Sequence, residues 1–81
     1  MKRHIKNYLR DNSYIEDDAI LCELCTLIAT DIHHIIYKSH SGTDDNKNLI
    51  ALCRECHDLA HDKKISQKKL LQIAERRING T

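Results

Sequence analysis

An 81-residue chain has room for one small domain and not two, and a domain of that size buries a core modest enough to need a metal, disulfides or a partner as a staple. Phe, Trp and Pro are absent and Tyr occurs three times, which excludes an aromatic core, whereas four Cys and six His offer a different kind of staple. A net charge of +1 is silent on partners, and no apolar run reaches the length of a membrane span or follows the basic start as a secretion signal would. The expected compartment is therefore the reducing cytoplasm, where paired cysteines serve as metal ligands more often than as disulfides.

In chain order, the start "MKRHIKNYLRD" places Ile5, Tyr8 and Leu9 at helical spacing and predicts a short amphipathic helix or basic arm over 1–12. "NSYIEDD" is polar and turn-like; Ser13 with Glu16 matches a capping box, weakened by the acid pair that follows. "AILCELC" is an apolar segment that ends in a Cys pair. "TLIATDIHHIIYKSH" is rich in Ile and Thr and reads as strands around a turn. "SGTDDNKN" is a loop by composition, and "LIALC" is apolar again. A helix is expected from about Arg54 to Lys63. The last segment predicts a helix over 66–79, with Ser66 as N-cap, an apolar stripe of Leu70, Leu71, Ala74 and Ile78, and Gly80 as the stop.

Basic residues gather at the two ends: Lys2, Arg3, Lys6 and Arg10, then Lys63, Lys64, Lys68, Lys69, Arg76 and Arg77. Glu16, Asp17, Asp18, Asp44 and Asp45 lie between them. This pattern fits a local nucleic-acid footprint, but charge alone favours ordinary solvated helix faces.

Two C-x-x-C pairs, Cys22 with Cys25 and Cys53 with Cys56, carry a stronger signal. Each turn aims two thiolates at one ion, and two such knuckles complete the tetrahedral all-sulfur shell of a structural zinc. The gap between them is longer than in a simple zinc ribbon, so a hairpin or loop must be inserted. His57 and His61 are four apart in the helix that starts at the second knuckle, which puts both rings on one face, a common way to present two ligands. A rival arrangement has His57 enter a zinc shell with three of the cysteines; the four cysteines already fill that shell, which ranks it second. His33 and His34 are adjacent, and on a strand they point to opposite faces. They cannot both face one ion, so one is a ligand candidate and the other faces something else, such as water. His4 and His40 read as structural or surface histidines.

The string "C-x2-C … DIHHI … SG … NLIALCRECHDLAH" resembles the HNH endonucleases, over Cys22 to His61. The resemblance implies an α+β fold: a small ββα-metal finger stapled by a four-cysteine zinc site, with flanking N- and C-terminal helices. The expected organisation is one nuclease domain over 1–81, with its core at 20–63. By position, His34 matches the general base and Asn48 the residue that orients the base and constrains the loop; the Asn-Leu context favours Asn48 over Asn46. His33, His57 and His61 match ligands of the catalytic ion, and Cys22, Cys25, Cys53 and Cys56 match the structural zinc knuckles. The loop has one glycine, Gly42, where many members have two. Asp31 falls on the strand face of His33 and is a candidate partner for a ligand.

The resemblance implies hydrolysis of DNA phosphodiester bonds, as nicks or cuts with 5′-phosphate and 3′-hydroxyl ends. His34 takes the proton from water, and one divalent ion stabilises the phosphate and the leaving oxygen. Three imidazoles suit Zn, Ni, Co or Mn better than Mg. Lys38, Lys47, Arg54 and the basic tail are the candidate phosphate contacts. So small a module has no evident base-reading element, so double-stranded DNA with little sequence preference is the expected partner, with targeting left to another protein. Small proteins of this kind are common in phages and bacteria, which is the expected origin. The competing reading is a non-catalytic zinc module that binds nucleic acid or protein; intact His34, Asn48 and His57 favour the nuclease.

Overall fold

The computed structural model describes residues 2–15 and 18–80; Glu16, and with it the capping box expected at Ser13, lies outside them. Among the described residues there are three α-helices, α1 (Arg3–Asp11), α2 (Arg54–His61) and α3 (Gln67–Asn79), and two strands, β1 (Asp31–His34) and β2 (Leu49–Leu52). The architecture is α+β. The strands form an antiparallel pair in which Asp31 faces Leu52, Ile32 faces Ala51, His33 faces Ile50 and His34 faces Leu49. No helix among the described residues is long and apolar enough to cross a membrane.

The expected strands around a turn shrink to four residues of β1 and one isolated bridge, Leu21 to Ile28. That bridge closes the first Cys pair into a tight turn, where Thr26 takes a left-handed φ of 67° and its N–H donates to the Cys22 carbonyl. Beyond β1 the chain turns through a 3-10 segment at Lys38–His40. The helix expected to reach Lys63 stops at His61, and Lys63 is left-handed at φ 59°. Cys53 caps its start, its sulfur accepting from the Cys56 N–H. Ser66 caps α3 by accepting from the Lys69 N–H, and Gly80 ends it at φ 73°.

Strand alternation sorts the core onto two faces of the hairpin. Ile50 and Leu52 join Ile35, Cys22, Cys53, Cys56, Ala60, Leu70 and Ala74 under α2 and α3. Leu49 and Ala51 point the other way, against Tyr8 of α1, with Leu9, Tyr14, Ile20, Ala29 and Ile32 around them. The two-stranded sheet is thus covered on both sides, which a hairpin this short requires.

Helix α3 corrects the expected stripe. Its inward face runs through Leu70, Ile73, Ala74 and Arg77, while Ile78 is exposed. Arg77, expected among the phosphate contacts of the basic tail, is turned inward. Its guanidinium donates to both carboxylate oxygens of Glu23 at 2.7 Å, to the Leu49 carbonyl, and to the carbonyl and side chain of Asn46. It also lies 5.0 Å over the Tyr8 ring. Glu23 in turn accepts from the Tyr8 hydroxyl and the Ala51 N–H. Burial, followed by Glu23, pushes the Tyr8 hydroxyl well above its ordinary pKa.

Replacing one partner of this partly buried pair leaves the other charged and short of solvent. Arg77→Ala is expected to cost about 2–4 kcal/mol in urea unfolding. Arg10→Ala, which removes an exposed pair with Asp11, should leave the midpoint where it is. Equal effects of the two substitutions would show that the Glu23 network is not what holds α3.

Candidate metal centres and reaction face

Three groups of metal-ligating side chains assemble among the described residues: Cys22, Cys25, Cys53 and Cys56; His33, His57 and His61; and His4, His34 and Asp44. Within each group one donor atom per residue lies within 4.8 Å of the others.

The thiols are free, and the Cys25 and Cys53 sulfurs are 3.5 Å apart. That is far too long for a disulfide and near the edge of a tetrahedron with bonds of about 2.3 Å, roughly 3.8 Å. The thiols resist ionisation unequally. Burial, then the neighbouring sulfurs, pushes Cys56 up. Burial also acts upward on Cys22, but backbone N–H groups of Cys53, Leu24 and Cys25 overcome it and bring it down to about 7. A dication among four such sulfurs offsets their mutual repulsion, so the donor set fits zinc. His57 groups with the other imidazoles on α2 and β1, so the rival shell of three cysteines and His57 is not what the geometry assembles.

In the second group, β1 supplies the buried His33 and α2 supplies half-buried His57 and exposed His61. The His57 and His61 Nε2 atoms stand 3.0 Å apart. Two imidazole nitrogens on one ion at about 2.1 Å are separated by roughly 3.0–3.4 Å, so this pair has the spacing of adjacent ligands. Burial, then the rings of His57 and His61, brings the His33 pKa down to about 4, which keeps the imidazole neutral as a ligand must be. The His57 Nδ1 is buried and lies 3.2 Å from Asp31 Oδ2, without the alignment of a full hydrogen bond. Asp31 thereby lies on the outer side of the His57 ring, with Arg54 4.0 Å from the same oxygen. The Tyr37 hydroxyl reaches His61 Nδ1 at 3.4 Å, and the two rings stack. The exposure of His61 leaves this group open to solvent.

His34 points to the other face. Its Nε2 is 2.8 Å from Asp44 Oδ1. A carboxylate only accepts, so Nε2 carries the proton and Nδ1 keeps the lone pair in the neutral ring. The His34 hydrogen bond, opposed by burial and aided by Lys38, holds Asp44 below the usual carboxylate range. Lys38 Nζ lies 3.2 Å from the second Asp44 oxygen. The His4 ring stands 4.4 Å from that of His34, tilted by 44°. Burial, then His34, lowers the His4 pKa.

Asn48 is buried and holds the loop between them. Its side-chain oxygen accepts from the Ile36 N–H at 2.8 Å, and its amide donates to the Ile36 and Thr43 carbonyls. Asn46 has a different partner set, Arg77 and Asn12. Inside the clamped loop a Cβ at Gly42 would collide with the Ile36 carbonyl, so only glycine fits. Ser41 takes a left-handed φ of 68° beside it, a conformation glycine adopts more readily. Lys47 is exposed and shares the lining of a cavity of about 460 Å³ with Leu71 and Ile78.

Sequence reasoning misses Asp44 and His4. Asp44 is one acid in a polar loop, and His4 reads as structural; neither has a spacing that ties it to His34.

Among known proteins, a family model described as HNH endonuclease matches residues 22–63, just over half of the chain. No curated protein and no solved structure matches. The matched span holds both Cys pairs, β1, the Asn48 loop, β2 and α2.

Protein purified without added metal is expected to carry one tightly held zinc by elemental analysis, and stripping it should abolish the far-UV helical signal. Cys53→Ser should do the same. A chain that keeps its helical signal when fully free of zinc would overturn the role of the quartet.

Proposed function

The chain belongs to the HNH endonuclease family, and from that premise we propose that it hydrolyses phosphodiester bonds of double-stranded DNA, leaving 5′-phosphate and 3′-hydroxyl ends. The observation that carries this reading is the split of His33 and His34 across β1. One imidazole joins two others in a solvent-open group of nitrogen donors, and its neighbour joins a carboxylate instead.

In this reading His34 is the general base. Asp44 holds its Nε2–H, fixes the ring and leaves Nδ1 to take a proton from water near neutral pH. His33, His57 and His61 hold the catalytic ion, with Asp31 orienting the His57 ring. A bound divalent ion supplies Lewis-acid neutralisation of charge on the phosphate and on the leaving 3′ oxygen. The nitrogen-only donor set favours Zn, Co, Ni or Mn over Mg. Asn48 acts through the loop: by tying Ile36 to Thr43 it fixes where Asp44, and so His34, can be.

Lys38 and Arg54 are the phosphate contacts the geometry favours. Each is well exposed, and each stands beside the acid that touches a site histidine, Lys38 at Asp44 and Arg54 at Asp31. They therefore flank the two histidine groups. Lys47 is the weaker candidate, since the cavity it lines with Leu71 and Ile78 includes none of the site histidines.

Plasmid nicking across Mg, Mn, Co, Ni and Zn tests the proposal. The wild type should cut, and His34→Ala should lower the rate by about 10²–10⁴-fold. Asp44→Ala should lower kcat by about tenfold or more with little change in KM, while zinc content and unfolding midpoint stay at wild-type values. Excess metal should partly rescue His33→Ala and not His34→Ala. A wild type inert with every ion would leave the non-catalytic zinc module as the better reading, and His34→Ala cutting at wild-type rate would remove His34 as the base.

A further inference from the structure

The group formed by His4, His34 and Asp44 lies on the opposite face of β1 from the His33, His57 and His61 group. His4 lies outside the span that the family model covers. We propose that these three residues form a second, weaker divalent-cation site, selective for ions that accept imidazole.

The geometry carries it in three steps. First, the donors converge: a ring nitrogen of His4, a ring nitrogen of His34 and a carboxylate oxygen of Asp44 all lie within 4.8 Å of one another. Second, the donors come from three segments that other contacts hold in place. α1 is docked by Asn7, whose amide donates to the Asp44 carbonyl at 3.1 Å, and by Asn12, which donates to Asn46 Oδ1 at 2.8 Å. The Asp44 loop is clamped by Asn48, and His34 is fixed in the β1–β2 ladder. Little ordering remains to be done on binding. Third, all three side chains are only half-buried, so an ion there keeps open positions for water.

Two nitrogens and one carboxylate oxygen suit Zn, Co, Ni or Fe(II), and not Mg or Ca. Lys38, 3.2 Å from Asp44, opposes a cation at this point; its side chain is 61% exposed and free to swing away, which makes the site the weaker of the two histidine sites rather than abolishing it. An ion shared by His34 and Asp44 takes the place of the proton between them: Nε2 binds the ion, the proton moves to Nδ1, and the ring has no lone pair left for water. Where His34 is the base, a consequence that rests on the proposed nuclease reading, filling this site silences it, so cutting should rise and then fall as metal increases.

The test reads binding rather than cutting. Protein with its Cys quartet loaded with zinc is titrated with Co²⁺ by equilibrium dialysis, and bound Co²⁺ is counted per chain. The wild type should take up two equivalents, the second more weakly. His4→Gln should lose the second or weaken it by about tenfold or more. His57→Ala should lose the first and keep the second. In the wild type at saturation, the His4 imidazole N–H should appear among the paramagnetically shifted NMR resonances, a reading that needs no variant to fold. A single equivalent in the wild type, an unshifted His4, two unchanged equivalents in His4→Gln, or loss of both in His57→Ala would each overturn the site. Because no cleavage is measured, such a failure leaves the nuclease proposal intact, and a failure to nick DNA leaves the Co²⁺ count intact.

Discussion

The parity of a four-residue strand is the constraint on which the rest of the site depends. β1 is pinned to β2 in one register, and each residue is committed to a face. Asp31 and His33 go to the α2 side, and Ile32 and His34 go to the α1 side. A slip of one residue would exchange the two histidines and turn Ile32 toward α2. The register is secured by burial, because Leu49, Ile50, Ala51 and Leu52 are all fully buried, alternate residues on opposite sides. The same apolar alternation that makes the hairpin stable therefore sends the His33 and His34 imidazoles to separate groups of donors.

A chain with no Phe or Trp needs ties besides apolar packing, and two of different kinds are present. The Cys quartet joins the turn before β1 to the start of α2, so a zinc there fixes both ends of the hairpin's α2 side. The Glu23–Arg77 pair joins the same turn to α3, and through Tyr8 to α1. Glu23 lies between Cys22 and Cys25, so the two ties share one turn. The desolvation cost of the pair is met by many hydrogen bonds: Glu23 also takes the Tyr8 hydroxyl and the Ala51 N–H, and Arg77 also reaches Asn46 and Leu49. An ion pair with that many partners holds one arrangement of three elements that apolar contacts alone would specify poorly.

What is legible in the sequence is whatever has a spacing. The C-x-x-C pairs, the His pair one helical turn apart, the Asn-Leu at the start of β2 and the capped C-terminal helix are all local patterns, and local patterns translate directly into turns and faces. What is not legible depends on remote segments meeting. Arg77 looks like one more cation in a basic helix end, and only the fold shows that its position, seven after Leu70, is on the buried face. Asp44 sits among polar loop neighbours with nothing to single it out, until the Asn48 clamp curls the loop back onto His34. The strand reading of residues 26–40 overshoots because Ile and Thr propensity cannot tell a four-residue ladder from an extended connection.

The flanking helices also belong to the site, for a reason rooted in burial. A hairpin with α2 and the Cys knuckles covers one face and leaves Ile32, Leu49 and Ala51 open on the other. Some element has to cover that face, and α1 does so with Tyr8. His4 is one turn before Tyr8 on the same side of α1. Once Tyr8 is seated on the hairpin, His4 is necessarily carried to the end of β1 where His34 projects. A helix that covers an apolar face thus also sets the surroundings of the His34 imidazole, and its docking residues Asn7 and Asn12 reach the loop that carries Asp44 and Asn46. Apolar packing and the surroundings of His34 are coupled here through one helix that lies outside the span the family model matches.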